Sequence, residues 1–463
     1  MLLKLWMKFL AKRNKPNYMN KILIIPKQIV CADQENRILN RHTIEITDNI
    51  ITNIKPVDEN EIKFFDGEIV KAENLTVIPG FIQTHVHLCQ TLFRGMADDL
   101  ELLDWLQQKI FPLENAHDKE SLKIATRLGI NELMRSGTTT ILDMGTLRFQ
   151  ESIFEELQSS GIRAIAGKCM MDVNKLLPSF KESTKDELKY TYELAKEFHQ
   201  KDGRIKYGFA PRFVLSCSKE LMIGAKEMMN EFEGSLFHTH ASENKNECAE
   251  VRKLHKKENI EYFHSLNLLD KNTVLAHCIH VNDEEIKILK NTKTNVSHCP
   301  SSNLKLGSGI AQIPKYIEER IPVSLGADGA PCNNNLNAFT EMRLASLIQK
   351  PIHGAAIMDA QTIFRLATIE GAKALHLDNE TGSIESGKKA DLVMLNLETP
   401  FQSLYENDNE IYSNIVYSSS KENVINVLVD GKWTVKDGHS VEYDDSALFY
   451  IGKTKLNELI NRL

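Results

Sequence analysis

The chain has 463 residues, 42% of them apolar, and a formal net charge of -7 from 56 basic and 63 acidic side chains. It has no dense basic run, which argues against nucleic acid as a main partner because phosphate neutralisation needs clustered Lys and Arg, and no apolar stretch of ~18 residues able to span a membrane. Eight cysteines are scattered without a Cys-x-x-Cys spacing, so they read as reduced thiols of a cytoplasmic protein.

Residues 1–18 carry Trp6 and Phe9 among Lys4, Lys8, Lys12, Arg13 and Lys15. The start is positive, but the apolar segment is too short for a secretory signal and lacks a small-residue cleavage site. A weak amphipathic peptide or a true start at Met19 both fit, and the segment is set apart as an N-terminal extension. From Lys21 to about Val70 short strands are predicted at Ile22–Ile25, Thr43–Ile46 and Ile51–Ile54, separated by polar turns.

At Val77 the texture changes, and eight short apolar runs alternate with helical segments. The runs are Val77–His85, Thr138–Asp143, Ile162–Gly167, Ile205–Phe209, Ser235–His240, Val274–His277, Thr294–His298 and Pro322–Asp328. Helical periodicity marks Glu120–Met134, Asp186–His199, Lys219–Phe232, Asp283–Leu289 and Ala338–Gln349, and a further helix is expected over Gln361–Leu375. Near-continuous apolar strands joined by helical crossovers suit a parallel sheet buried on both faces. Eight alternations predict an α/β fold built on a (β/α)8 TIM barrel, which at ~250 residues leaves room for a companion; an open doubly wound sheet is the alternative.

Strand texture then returns at Asp391–Leu395, Val424–Val429 and Lys432–Val435, with Asp430-Gly431 as a hairpin turn. Neither terminal β segment can bury a generous core alone. Residues 19–76 and 383–445 are therefore expected to combine into one small β-sandwich beside a barrel of residues 77–382, followed by a C-terminal helix over 446–463.

In such a barrel the reactive side chains sit at the C-terminal strand ends. The runs here end on His85 and His87, on His238 and His240 with Glu243 just beyond, on His277, on His298 and on Asp328. Histidines two apart on a strand point the same way. With His240 and the carboxylate of Asp328 they make a set of three nitrogens and one oxygen, suited to one divalent ion, zinc or iron, with a position left for water.

These motifs carry a resemblance. Pro79-Gly80-Phe81-Ile82-Gln83-Thr84-His85-Val86-His87, His240-Ala241-Ser242-Glu243, Ala276-His277-Cys278, Ser297-His298-Cys299-Pro300 with Asn303, and Leu325-Gly326-Ala327-Asp328-Gly329 resemble the amidohydrolase superfamily. Within it the likeness is to the branch of methylthioadenosine/S-adenosylhomocysteine deaminases, 5'-deoxyadenosine deaminases, guanine deaminases and triazine hydrolases. The resemblance runs to about Gly438 and implies a mononuclear zinc site on His85, His87, His240 and Asp328. Binuclear relatives use a carboxylated lysine, for which Lys168 and Lys206 are the nearest residues, and both read as ordinary lysines.

The implied activity is hydrolytic deamination, acting on carbon-nitrogen bonds of cyclic amidines. A metal-activated water attacks the amino-bearing ring carbon. Asp328 takes its proton, His277 orients it, and Glu243 protonates a ring nitrogen and then the departing amine.

For the substrate, Glu114 matches the acid that adenosine-type relatives place on the ribose hydroxyls, and Trp105 falls in their lid segment. Arg212, where nucleoside enzymes commonly carry a histidine, resembles guanine deaminases instead. The leading expectation is an adenosine-type nucleoside: 5'-deoxyadenosine, methylthioadenosine or S-adenosylhomocysteine. Guanine, another oxopurine or a pterin is the second and a triazine the third, with a Glu114 substitution expected to separate the first two. A homo-oligomer is implied by the resemblance. A non-catalytic scaffold would have lost metal ligands, and none is missing here; the zinc cytidine-deaminase pattern is absent, since Pro331-Cys332 is followed by three asparagines.

Overall fold

The computed structural model describes residues 20–404, 407 and 410–463. The expected N-terminal extension lies outside these residues. The chain opens with β1 (Lys21–Val30), β2 (Ile38–Asn40), β3 (His42–Thr47), β4 (Ile50–Pro56) and β5 (Glu68–Pro79).

Eight parallel staves follow: β6 (Phe81–His87), β7 (Thr138–Asp143), β8 (Arg163–Ala166) continued by β9 (Cys169–Met170), β10 (Ile205–Pro211), β11 (Leu236–Ala241), β12 (Thr273–His277), β13 (Asn295–His298), and β14 (Val323–Leu325) continued by β15 (Asp328–Gly329). Each pairs in parallel with the next, β14 with β13 and β15 with β6, so the last stave closes the ring onto the first. Every residue of β6 and β7 is buried, as the continuous apolar runs predict. The split in the last stave falls at Gly326, where a Cβ would lie 2.7 Å from the carbonyl oxygen of His85. Only a residue without a side chain lets this strand close against the first metal-ligand candidate.

The chain ends with β16 (Leu392–Leu395), β17 (Val424–Val429), β18 (Lys432–Lys436), β19 (His439–Ser440) and a helix over Asp445–Ile460. Strands from the two ends of the chain join in one hydrogen-bonded sheet of nine, with β16 antiparallel to β5 and β5 parallel to β1. Its core holds Ile22, Ile24, Ile44, Ile46, Val77, Leu392 and Leu428. The β17–β18 turn is the one expected: Asp430 and Gly431 have φ of +52° and +71°, both left-handed, as a tight hairpin with right-handed twist requires.

Two expected elements are divided. The run Val77–His85 breaks at Gly80: β5 ends at Pro79 in the terminal sheet, whereas β6 begins the barrel at Phe81. The Gly80 N–H is drawn to the Asp391 carbonyl at 3.0 Å, and apolar character on both sides hid the corner. The helix expected over Gln361–Leu375 becomes Ala360–Leu366 and Ile369–Ala374. The Ala367 carbonyl leaves the helical ladder to accept from Ile82 N at 2.8 Å, which pins the break onto β6.

Candidate active site

His85 and His87 end β6 and His240 lies near the end of β11, while Asp328 opens the short strand that follows the Gly326 break. One ligand atom from each of the four falls within 4.8 Å of the others. His85 Nε2 and His87 Nε2 stand 3.3 and 3.4 Å from Asp328 Oδ1. His87 Nε2 faces His240 Nε2 at 3.2 Å.

His240 donates its Nδ1–H to the Arg212 carbonyl at 2.6 Å, which leaves its Nε2 lone pair pointing inward. Among the described residues His85 Nε2 is buried with no hydrogen-bond partner, and such a nitrogen is costly unless something takes its lone pair. Converging nitrogens beside one carboxylate therefore fit a divalent ion by their own chemistry. Burial lowers the pKa of all three imidazoles, keeping them neutral as metal ligation requires. Burial alone would raise Asp328, but the imidazoles of His85, His87 and His277 around it hold it well below the usual carboxylate range.

Tight backbone aims these groups. Asp328 (φ +63°), His277 (φ +74°) and Ser242 (φ +52°) all adopt the left-handed region without being glycine, at a cost of about 1–2 kcal/mol each. Such strain is retained where surrounding structure over-determines it. Ser302 Oγ donates to Asp328 Oδ2 at 2.6 Å, and Gly329 N donates to Oδ1 at 2.8 Å.

Beside this cluster, His277 donates Nδ1–H to Asn303 Oδ1 at 2.8 Å, so its Nε2 is an acceptor. That Nε2 lies 3.4 Å from Glu243 Oε2 and 3.9 Å from Asp328 Oδ2. Burial, and then the charge of Asp328, push the Glu243 carboxyl well above the usual range. A carboxyl whose pKa is raised by burial is better suited to act as a general acid.

A cavity opens onto His87, His240, His277, Asp328 and Glu243. Trp105 and Leu106 close one side, brought there by a π-helical turn (Leu106–Ile110) between the short helices Leu102–Trp105 and Phe111–Asn115.

The two remaining substrate-binding residues prove to be partners. Arg212 lines the cavity, whereas Glu114 lies behind it: Arg212 Nη1 and Nη2 reach Glu114 Oε2 and Oε1 at 2.6 and 3.2 Å. Gln90 Nε2 donates to Glu114 Oε1 at 2.7 Å. The guanidinium also sits 5.0 Å from the Phe111 ring centroid. Each lysine considered for a second metal is held by a carboxylate: Lys168 is paired with Glu187 at 2.5 Å and Lys206 with Glu380 at 3.3 Å.

The sequence did not single out Gln90, which lies three residues past His87 and lines the cavity. Its fit depends on Gly329, where a Cβ would fall 2.0 Å from Gln90 Oε1. Asn303 was visible only as part of a motif and Ser302 is its neighbour, and nothing in their spacing reveals that they hold His277 and Asp328.

The Amidohydrolase family model matches residues 76–434. The chain is 36% identical to the 5'-deoxyadenosine deaminase of Methanosphaera stadtmanae over 91% of this chain and 96% of that protein. To the 5'-deoxyadenosine deaminase of Methanocaldococcus jannaschii it is 37% identical over 88% and 94%. Among solved structures, a zinc-bound adenosine deaminase from Xanthomonas campestris superposes with a TM-score of 0.89 at 26% identity, covering 96% of this chain and all of that one. E. coli guanine deaminase superposes with a TM-score of 0.80 at 27% identity, covering 90% and 99%.

Proposed function

The chain belongs to the amidohydrolase family, and from that premise we propose that it is a metal-dependent deaminase of adenosine-type nucleosides. Water and 5'-deoxyadenosine would give the inosine analogue and ammonia, with methylthioadenosine and S-adenosylhomocysteine as further substrates. The reading is carried by one observation: a buried Glu243 shares a cavity wall with His87, His240 and Asp328 of the four-residue group that His85 completes. The names of the most similar relatives support it.

One divalent ion, for which zinc is our choice, would be held by those four residues and supply the acidity that makes water nucleophilic near neutral pH. The chain's own groups do the rest. Asp328 accepts the proton of the attacking water. The acceptor Nε2 of His277, fixed by Asn303, orients that water. Glu243 donates its proton to the ring nitrogen next to the amino-bearing carbon. As the tetrahedral centre collapses, the carbon–nitrogen bond breaks and the amine leaves as ammonia, carrying a proton relayed through the same carboxyl. Trp105 covers the bound base, and Arg212 faces it.

A second reading, deamination of an oxopurine, is favoured by Arg212 itself, a planar fork of donors on the cavity wall. Because Glu114 grips that guanidinium, replacing Glu114 would disturb either substrate, and it no longer separates the two readings. The test is ammonia release by the zinc-loaded protein against 5'-deoxyadenosine, methylthioadenosine, S-adenosylhomocysteine, adenosine, guanine and a pterin. Turnover led by the adenosine-type compounds is expected. Turnover of guanine or the pterin alone would replace the first reading with the second.

We also read the terminal sheet as folding over its own core as a sandwich, and the protein as a cytoplasmic homo-oligomer. All eight cysteines are free and buried, and among the described residues no helix is long and apolar enough to cross a membrane.

A further inference from the structure

His238 is fully buried in the middle of β11, two residues before His240, and no role in the reaction has been given to it. Its Nε2 lies 2.8 Å from His85 Nδ1. The two rings meet nearly edge to face, with centroids 4.9 Å apart and planes at 84°.

The protons on this pair can be placed by elimination. If His85 offers its Nε2 lone pair to a metal, its single ring proton must be on Nδ1. That N–H points at His238 Nε2, which must then be the acceptor, so His238 carries its own proton on Nδ1. We infer that His238 is a positioning residue, which fixes the tautomer and ring plane of His85 for metal binding without touching metal or substrate.

Metal-bound histidines usually donate their second N–H to a carboxylate, a backbone carbonyl or water. His240 follows that habit through the Arg212 carbonyl. His85 uses a neutral imidazole instead, an acceptor without formal charge. Asp328 then remains the only formal negative charge among the four ligands, and less of the ion's charge is neutralised than with a carboxylate partner. Period two along β11 makes the arrangement possible: His238 and His240 share a face, one beneath the ligand cluster and one within it.

The inference rests on the metal-site reading, and its test uses the metal alone. Zn²⁺ affinity is measured by chelator competition, and the visible spectrum of the Co²⁺-loaded protein is recorded, for the parent, His238→Phe and His238→Gln. Phenylalanine keeps the volume without the acceptor, whereas the glutamine carbonyl can reach the position of Nε2. His238→Phe is expected to lose 10- to 100-fold in Zn²⁺ affinity and to shift the Co²⁺ bands. His238→Gln should recover most of both, and the metal-free proteins should melt within a few degrees of one another.

Parent-like affinity in His238→Phe, or equal damage in both variants, would overturn the inference and leave the metal site standing. Should His238→Phe not fold, His238→Gln against His238→Asn decides, because the shorter amide cannot reach His85; equal affinity in those two would also overturn it. A parent that binds no stoichiometric divalent ion would remove the underlying metal-site reading instead.

Discussion

Two buried polar clusters sit at opposite ends of the same barrel and differ in what completes them. At the N-terminal strand ends Arg163, first residue of β8, reaches Asp391 with Nε and Nη2 at 2.8 and 3.1 Å and Asp430 with Nη2 at 3.4 Å. Asp391 also accepts from Asp430 N at 2.7 Å, and Asn49 Nδ2 donates to Asp430 at 3.0 Å. The chain itself satisfies this cluster and thereby fastens the terminal sheet to the barrel. At the C-terminal strand ends His85 Nε2, His87 Nδ1 and His277 Nε2 are buried without hydrogen-bond partners among the described residues. Buried polar groups that the fold leaves without partners mark a candidate site, whereas the cluster at the other end is complete in itself.

The comparison breaks most visibly at Glu243. Glu243→Gln keeps the shape of the side chain but removes the proton donor. Steady-state kinetics should give a kcat/KM about 100- to 10,000-fold lower, with zinc content and thermal midpoint unchanged. A loss of bound zinc in that variant would mean the residue holds the site together.

At the other end, Arg163→Leu should leave zinc binding intact while costing about 3–5 kcal/mol in chemical denaturation, because it strands Asp391 as an unpaired buried charge. Normal stability would dissolve the distinction between the two clusters.

A third effect is pH-dependent. Asp143 is buried at the end of β7, where burial raises its carboxyl to about 7 from the ordinary 3.8 against the opposing pull of backbone N–H groups from Leu88 and Gly145. Between those two values the folded state keeps a proton that the unfolded chain has lost. This contribution therefore makes stability fall as pH rises through that window. Asp143→Asn should lack this slope, so denaturation curves at pH 4 and pH 8 should see the variant gain on the parent at the higher pH, by at most about 4 kcal/mol. A constant difference between the two proteins would remove the titration.

The smallest effect is expected where polar groups meet solvent. Asp445 caps off the Arg135 guanidinium at the surface and accepts from Asn131 Nδ2 at 2.8 Å. Asp445→Asn should cost less than about 1 kcal/mol, and less again at high salt, as exposed ion pairs do.

Much of the barrel could be read along the chain because its strands are buried on both faces and its helices are amphipathic. Those periodicities survive in one dimension, and Lys119–Arg135 and Thr184–Phe198 fall within two residues of the expected helices. The corner at Gly80 and the break after Leu366 were not legible. Each is made by a hydrogen bond to a distant segment, Asp391 in one case and Ile82 in the other, and local periodicity carries no trace of that.

Strand-end position likewise nominated His85, His87, His240, Glu243, His277 and Asp328, because each depends only on where a strand stops. Gln90 was overlooked, since its place on the cavity wall depends on the absent side chain of Gly329. Glu114 and Arg212 were each read as touching substrate, yet they lie 98 residues apart in sequence and face each other.

By itself, then, the sequence determined the alternation of strands and helices, the residue types at the strand ends, and the family, all of them local patterns. Only the tertiary structure decided which groups share a proton or a charge: Glu114 with Arg212, His85 with His238, Asp328 with Ser302. Those pairings depend on distances of about 3 Å between residues far apart in the chain, and ring closure, rather than any stretch of sequence, brings them together.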